Sequence, residues 1–146
     1  CASREVISCL TKLLTSPHHE VVRQALDALV PMASHLDVNC LSEIQRLILD
    51  VNDEWQQSLV LRGWTGQDQV RMNAALVLLS VATLAKQDPG IEKSLTALLA
   101  DPNGYAAAIA AEALIRLSSA SALSTAVKFL SDRRWDDTLL GTIKRY

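Results

Sequence analysis

Three related segments occur along the chain, and this repetition constrains the fold more than any single residue does. The first begins at Leu13, passes through a Ser-Pro turn and continues into an alanine-rich stretch that ends at Leu29. A second copy begins at Leu98, passes through an Asp-Pro turn and ends at Leu114. Each copy predicts a helix that ends in paired leucines, then a turn, then a second helix with small side chains.

A third copy lies between these two, because residues 70–78 align without a gap with residues 106–114. The equivalent residues Ala25, Ala74 and Ala110 are about 49 and about 36 residues apart, which straddles the roughly 40-residue period of two-helix repeats. Small side chains let neighbouring helices approach closely. The spacing therefore predicts an all-α solenoid of antiparallel helix pairs, with the three alanine-rich helices side by side in one layer.

The turns of the repeats contain residues that favour helix starts. Ser16 and Asp101 are expected to cap the free amides of the following helices. Pro17 and Pro102 lie where a missing N–H costs nothing.

The pattern x-Val-Arg-x-x-Ala-Ala-x-x-Leu at residues 69–78 resembles HEAT repeats, including the HEAT-like units of phycobilin lyases. The resemblance covers about residues 3–131, in three degenerate units. It implies a right-handed superhelix of antiparallel helix pairs, with a partner bound along the inner helices.

HEAT repeats often join an Asp in the turn to an Arg early in the inner helix, which builds a hydrogen-bonded ladder along the array. Here Ser16 replaces the first Asp, Arg23 is shifted by one position, and Asp101 has only Ala107 at the Arg position. Only Arg71, with Asp68 close by, is therefore expected to form this pair.

The composition agrees with one helical domain, residues 1–146, because 49% of residues are apolar but only 4% are aromatic. The longest apolar stretch, Ala74 to Ala85, is interrupted by Ser80 and Thr83. It is far shorter than the roughly 20 residues of a membrane span, so we expect a buried central helix and no membrane partner.

The three cysteines, Cys1, Cys9 and Cys40, have no metal-binding or redox spacing. They indicate free thiols in a reducing cytoplasm, and no signal peptide is visible. Because the chain begins without Met, we expect a segment of a longer protein.

Apolar spacing predicts eight or nine helices, with Pro31 kinking or ending the second. Leu41, Ile44, Leu47 and Ile48 mark the third helix. The others are expected at about 3–15, 19–35, 53–64, 69–86, 90–100, 103–118 and 121–131, with a short cap at 135–145.

Residues 39–66 contain one helix more than the array needs, and insertions in solenoids often lie on the binding face. Trp55 and Trp64, near Arg62, suit a protein-contact patch, in which Trp and Arg are enriched. Alternatively, both indoles fill the wedge left by the extra helix.

Candidate catalytic and metal-binding groups lack the necessary spacing. The pair His18-His19, the pair His35 and Asp37, and the acidic group Asp50, Asp53 and Glu54 are better explained as solvated turns and helix ends. We therefore predict no catalytic residue, no metal site and no cofactor.

The charge balance argues against a nucleic-acid partner, because 14 Lys and Arg face 16 Asp and Glu at a pI near 5.9. Arg133-Arg134-Trp135 is the one tight basic and aromatic cluster.

The sequence thus favours a non-catalytic scaffold that binds another protein, with no small-molecule ligand. The alternative is a partner-holding subunit of an enzyme system of the phycobilin-lyase type. The predicted contact residues are Arg23, Asp27, Arg71, Asn73, Glu112 and Arg116, expected to be exposed along the inner helices, with Trp55 and Trp64 on the insertion.

Overall fold

Helices dominate the computed structural model, which describes residues 2–61, 63–83, 89–101, 103–117 and 120–132. Eight α-helices lie within these ranges, as the spacing predicts, together with a 3₁₀ helix at Val30–His35. The described residues form a single small sheet of two strands. The helices are α1 (Ala2–Leu13), α2 (His19–Leu29), α3 (Val38–Leu49), α4 (Asp53–Gln57), α5 (Gly66–Thr83), α6 (Pro89–Leu98), α7 (Gly104–Leu117) and α8 (Ala120–Asp132), and the strands are β1 (Leu59–Leu61) and β2 (Trp64–Thr65).

Contacts between the longer helices define two sets of neighbours, which we call the inner row and the outer row. In the inner row, α5 packs against both α2 and α7. In the outer row, α3 packs against both α1 and α6. Each outer helix also contacts an inner one, and we call these helix pairs units: α1 with α2 is the first, α3 with α5 the second and α6 with α7 the third. The predicted packing of the helix that carries Ala74 against the helices that carry Ala25 and Ala110 is therefore confirmed.

Buried alanines allow this close packing of the inner row. Ala25 on α2, Ala74 on α5 and Ala110 on α7 are all buried, at 3%, 0% and 0% exposure. Leu78 and Leu114, which occupy equivalent repeat positions, are both completely buried. The alanines let helix axes approach, and the leucines fill the space between the rows.

The predicted helix at 53–64 is wrong. Helix α4 ends at Gln57, and strands β1 and β2 form an antiparallel pair in which Leu59 pairs with Thr65 and Leu61 with Trp64. Gly63 has φ of 86°, the left-handed conformation that a tight hairpin turn needs and that glycine adopts without strain. The turn signal at Gly63 outweighs the apolar spacing that suggested a longer helix.

A reciprocal cap starts the central helix α5 three residues before the predicted position of 69. The Thr65 amide donates to Asp68 Oδ2 at 2.9 Å, and the Asp68 amide donates to Thr65 Oγ1 at 3.1 Å. This capping box satisfies two of the free amides at the helix start.

Two predicted caps act differently from expectation. Ser16 accepts only from the His18 amide, and α2 begins without a side-chain cap. Asp101 accepts from the Asn103 amide, while Asn103 itself caps α7 by accepting from the Tyr105 and Ala106 amides. Each predicted cap therefore lies two residues before the N-cap position of its helix, which is His18 for α2 and Asn103 for α7.

Pro31 does end the second helix, because α2 stops at Leu29 and the chain continues as the 3₁₀ helix. Within the described residues, no helix combines the length and apolarity needed to cross a membrane. Pro102, Arg62, the basic cluster 133–135 and the expected cap at 135–145 lie outside the described residues.

We expect Leu78→Ala and Leu114→Ala each to lower the free energy of unfolding by about 2–5 kcal/mol, because both side chains are fully buried between the rows. The matched control is Leu59→Ala, since Leu59 is 77% exposed and should change stability by less than about 0.5 kcal/mol. Urea unfolding measures all three. Losses below about 1 kcal/mol at both buried positions would show that the assignment of the inner row is wrong.

Candidate functional site

Arg71 lies near the start of α5 and connects it to two other elements. Its Nη2 donates to the Asp50 carbonyl at 3.1 Å, at the end of α3. Its Nη1 lies 3.5 Å from Asp101 Oδ2, in the turn between α6 and α7. The expected pairing with Asp68 is wrong, because Asp68 is used in the cap of α5. Arg71 instead joins its own unit to the following one.

Asp101 is a buried carboxylate, with a side chain only 3% exposed. Burial raises the pKa of Asp101, although the Asn103 amide and the Arg71 guanidinium both favour the charged form. The Nε atom of Arg71 is also buried and has no hydrogen-bond partner within the described part of the chain. The pair therefore combines close contact with a substantial desolvation cost.

Arg46 on α3 makes an equivalent connection to the preceding unit. Its Nη2 donates to the Leu14 carbonyl at 3.4 Å, just after α1. Its Nε donates to Glu43 at 2.8 Å, and its Nη1 lies 3.9 Å from Asp50. The charged contacts thus run along the turn edge from the first unit to the third, with Asp50 in contact with both arginines.

Trp55, a predicted contact residue, is buried at 6% exposure and its indole N–H donates to the Pro17 carbonyl at 2.9 Å. This position matches the alternative in which the indole fills space beside the extra helix. Trp64 is half-buried and its ring lies 5.5 Å from that of Tyr105, tilted by 43°. The structure does not bring the two tryptophans into ring contact.

The expected exposure of Asn73 is wrong, because this residue is only 7% exposed. Its Nδ2 donates to the Arg23 carbonyl at 3.2 Å and to Asp27 Oδ1 at 3.0 Å, which ties α5 to α2. Arg23 and Asp27 form a looser ion pair at 3.8 Å, with side chains 35% and 55% exposed. Asn73 is an interhelical bridge, whereas Arg23 and Asp27 remain accessible.

The expected exposure of Arg71 is also wrong, because its side chain is only 15% exposed. Glu112 and Arg116 on α7 do reach solvent, with side chains 31% and 46% exposed, and they form an ion pair at 2.9 Å. The accessible predicted residues therefore lie on the two flanking inner helices.

Between these flanks, α5 presents an apolar stripe that sequence reasoning missed. Met72, Leu76 and Leu79 follow the i, i+4, i+7 spacing of one helix face, and each is half-buried. Ile115 on α7 is 41% exposed. The sequence contains a sign of this stripe, because Leu76 aligns with Asp27 and Glu112 in the other two repeats. An apolar residue thus replaces an acidic one at this repeat position. We define the inner-layer surface as Arg23, Asp27, Met72, Leu76, Leu79, Glu112, Ile115 and Arg116.

The two histidines of the first turn have separate environments. His18 is exposed, as expected for a solvated turn, but the side chain of His19 is only 12% exposed. The His19 ring packs over Gly66, where a Cβ atom would lie 2.6 Å from the ring. Gly66 is therefore required for the contact between the start of α2 and the start of α5.

Asp37 caps α3 by accepting from the Cys40 amide at 2.8 Å. Cys40 is buried, and burial raises the pKa of its thiol, whereas Cys9 is exposed. No group of three or more potential metal ligands occurs among the residues that the structure describes.

A cleft of about 130 Å³ lies at the insertion, lined by Arg46, Leu47, Asp50, Val51, Asn52, Trp55 and Gln67. Small-molecule sites usually enclose about 300–1,000 Å³. The cleft is thus smaller than most ligand sites, and the inner-layer surface is the more extensive candidate.

Comparison with family models, curated proteins and solved structures finds no match to this chain. The candidate site therefore depends on the geometry of the chain itself.

We expect the ionisation of Asp101 to weaken the fold as pH rises. Because burial raises its pKa above the ordinary value of 3.8, the folded state holds this proton more tightly than the unfolded state does. The protonated Asp101 side chain thus contributes to the free energy of unfolding. This contribution is fully present below pH 3.8 and is lost as the pH rises through the folded-state pKa of Asp101.

Asp101→Asn is the test, because the amide keeps an acceptor for Asn103 but cannot ionise. Urea unfolding of both proteins between about pH 4 and about pH 7 should show the variant becoming more stable relative to the natural protein as pH rises. A relative stability that stays constant or falls over this range would contradict the account of Asp101.

Proposed function

We propose that the chain is a HEAT-like α-solenoid, a right-handed array of helix pairs, that binds another protein through its inner-layer surface and catalyses no reaction. The two rows of helices and the connection of Arg71 to Asp101 in the next turn support the solenoid arrangement. Such arrays stack units into an extended surface that suits a protein partner.

The observation that carries this proposal is the arrangement of charge around the apolar stripe of α5. After Arg71, helix α5 has no charged residue, and its half-buried side chains Met72 and Leu76 lie between α2 and α7. Protein interfaces combine an apolar centre with a polar rim. The inner-layer surface has this composition, with an ion pair on each flank.

The spacing of the stripe favours a helical segment as the partner. Met72 and Leu79 are seven residues apart, which corresponds to about 10 Å at the 1.5 Å rise of a helix. An amphipathic helix presents apolar side chains over the same distance at i, i+4 and i+7. Methionine adapts to irregular partners because its side chain is unbranched and polarisable. The surface therefore suits two turns of a partner helix.

The variant that tests the surface is Ile115→Asp combined with Arg116→Ala. Ile115 is 41% exposed and the Arg116 side chain 46% exposed, so the fold should tolerate both changes within about 0.5 kcal/mol each. Arg71 is unsuitable because its reversal would break the contact with Asp101. The control is Val38→Asp, which adds one aspartate, as Ile115→Asp does, at a residue that is 77% exposed at the start of α3.

Affinity capture from a lysate of the source organism, quantified by mass spectrometry, compares the three proteins after circular dichroism has verified their folding. We expect at least one captured protein to fall about tenfold or more with the double variant, corresponding to about 1.4 kcal/mol, and to be retained by the control. Equal capture by all three proteins would move the binding face away from the inner layer. A tetrapyrrole absorbance in the captured material would favour the phycobilin-lyase type of partner instead.

A further inference from the structure

The cleft at the insertion, which we call the insertion cleft, lies between the end of α3 and the starts of α4 and α5. Arg46 and Leu47 come from α3, Trp55 from α4 and Gln67 from α5, while residues 50–52 connect α3 to α4. Its volume is about 130 Å³. Since a protein cavity of about 150 Å³ holds a benzene ring, the insertion cleft has room for one side chain of about five or six non-hydrogen atoms.

Gln67 is a polar residue buried in the wall of this cleft. Only 2% of it is exposed, and its Oε1 accepts a hydrogen bond from the Asn52 amide at 2.7 Å. Because a main-chain N–H only donates, the oxygen of the Gln67 side chain must face it, and the NH₂ group is left as a donor. None of the residues that the structure describes accepts from this Nε2.

The Nε2 group of Gln67 is reached from the cleft. Among the described residues, the buried side-chain atoms that are both closed to solvent and unpaired are His19 Nδ1 and Arg71 Nε. Gln67 Nε2 is therefore open to solvent, and the insertion cleft is an opening that Gln67 lines. A donor of this kind in a buried residue usually has an acceptor outside the chain, either water or a ligand.

Asn52 supplies a second donor of the same kind. Its Oδ1 accepts from the Trp55 amide at 3.1 Å, which fixes the orientation of its side-chain amide by the same argument. Its Nδ2 has no acceptor within the described ranges. Asn52 and Gln67 both line the cleft and are joined by a hydrogen bond, so the two donor groups belong to one site.

The charges at the cleft favour a neutral ligand group. Arg46 lies 2.8 Å from Glu43 and 3.9 Å from Asp50, so two carboxylates offset its charge. An anion in the cleft would meet the Asp50 carboxylate, and an ammonium group would place its donors against those of Gln67 and Asn52. A primary amide suits all three residues, because its oxygen accepts and its nitrogen donates.

We propose that the insertion cleft binds the side-chain amide of a Gln or Asn residue on a partner polypeptide. The amide oxygen accepts from Gln67 and Asn52, the nitrogen donates to the Asp50 carboxylate, and the methylenes lie beside Leu47 and Trp55. The cleft is too small for most small-molecule ligands, so a side chain held from outside is the occupant that fits. The site shares no residue with the inner-layer surface and does not depend on it.

Blocked amino acids test this specificity on the natural chain. The probes are the N-acetyl methylamides of glutamine, glutamate and methionine, which share their main-chain amides and differ in the end of the side chain. In ¹H–¹⁵N correlation spectra, the glutamine probe should shift the side-chain NH₂ signals of Gln67 and Asn52 saturably. We expect a Kd of about 1–20 mM, because a ligand of this size binds weakly. The other two probes should bind about fivefold or more weakly, since each loses a hydrogen bond.

Asn52→Asp tests the donors. Aspartate caps a helix as well as asparagine does, so the variant keeps the acceptor for the Trp55 amide but replaces an N–H donor by an oxygen. It should weaken binding of the glutamine probe by about threefold to tenfold. Asn39→Asp is the matched control, because it makes the same change at an exposed asparagine outside the cleft, and it should leave the Kd unchanged. The indole N–H signal of Trp55, which donates to the Pro17 carbonyl, monitors the fold.

Three results overturn the proposal. The first is the absence of saturable shifts up to about 100 mM of the glutamine probe. The second is binding of the glutamate or methionine probe as tight as that of glutamine, which would indicate an anion site or contacts to the main chain alone. The third is an unchanged Kd in Asn52→Asp. If Asn52→Asp unfolds, Gln67→Glu replaces it, because its carboxylate keeps the acceptor for the Asn52 amide.

Discussion

The order of the helix units depends on the contacts that the buried guanidinium of Arg71 makes. It binds the Asp50 carbonyl within its own unit and approaches the Asp101 carboxylate in the next. Alanine-rich helices pack closely but pack nearly as well in neighbouring registers, because small side chains specify position poorly. A directional contact between α5 and the following turn removes that ambiguity, at the cost of desolvating both charges.

Other polar contacts fix the earlier units without repeating the same residue types. Asn73 joins α5 to Asp27 on α2, and Arg46 joins α3 to the Leu14 carbonyl. Trp55 donates to the Pro17 carbonyl and carries an aromatic ring into the space beside the insertion. Each unit is thus held by a different donor, which explains why the repeats look degenerate although the inner helices pack side by side.

The sequence predicts the helices and the inner row because equivalent positions of the repeat are buried. Ala25, Ala74 and Ala110 are examples. It does not predict the pairing of strands β1 and β2, where the positive φ of Gly63 follows an apolar pattern that resembles a helix. The partner of Arg71 was missed because Asp101 is 30 residues away and belongs to the next unit. Exposure was misjudged at Asn73, since a polar residue on an alanine-rich helix can bond a neighbouring helix instead of solvent.

A double-mutant cycle between Arg71 and Asp101 tests this account most directly. Arg71→Ala, Asp101→Ala and the combined variant are unfolded in urea at neutral pH, and the coupling energy is obtained from the four free energies of unfolding. If the contact fixes the units, the coupling energy should be about 0.5–3 kcal/mol. The losses in free energy of unfolding from the two single changes should then add up to more than the loss in the combined variant. Asp27→Ala is a suitable partner for a control cycle with Arg71, because Asp27 bonds Asn73 and not Arg71. Effects of Arg71→Ala and Asp101→Ala that add within about 0.3 kcal/mol would contradict the account.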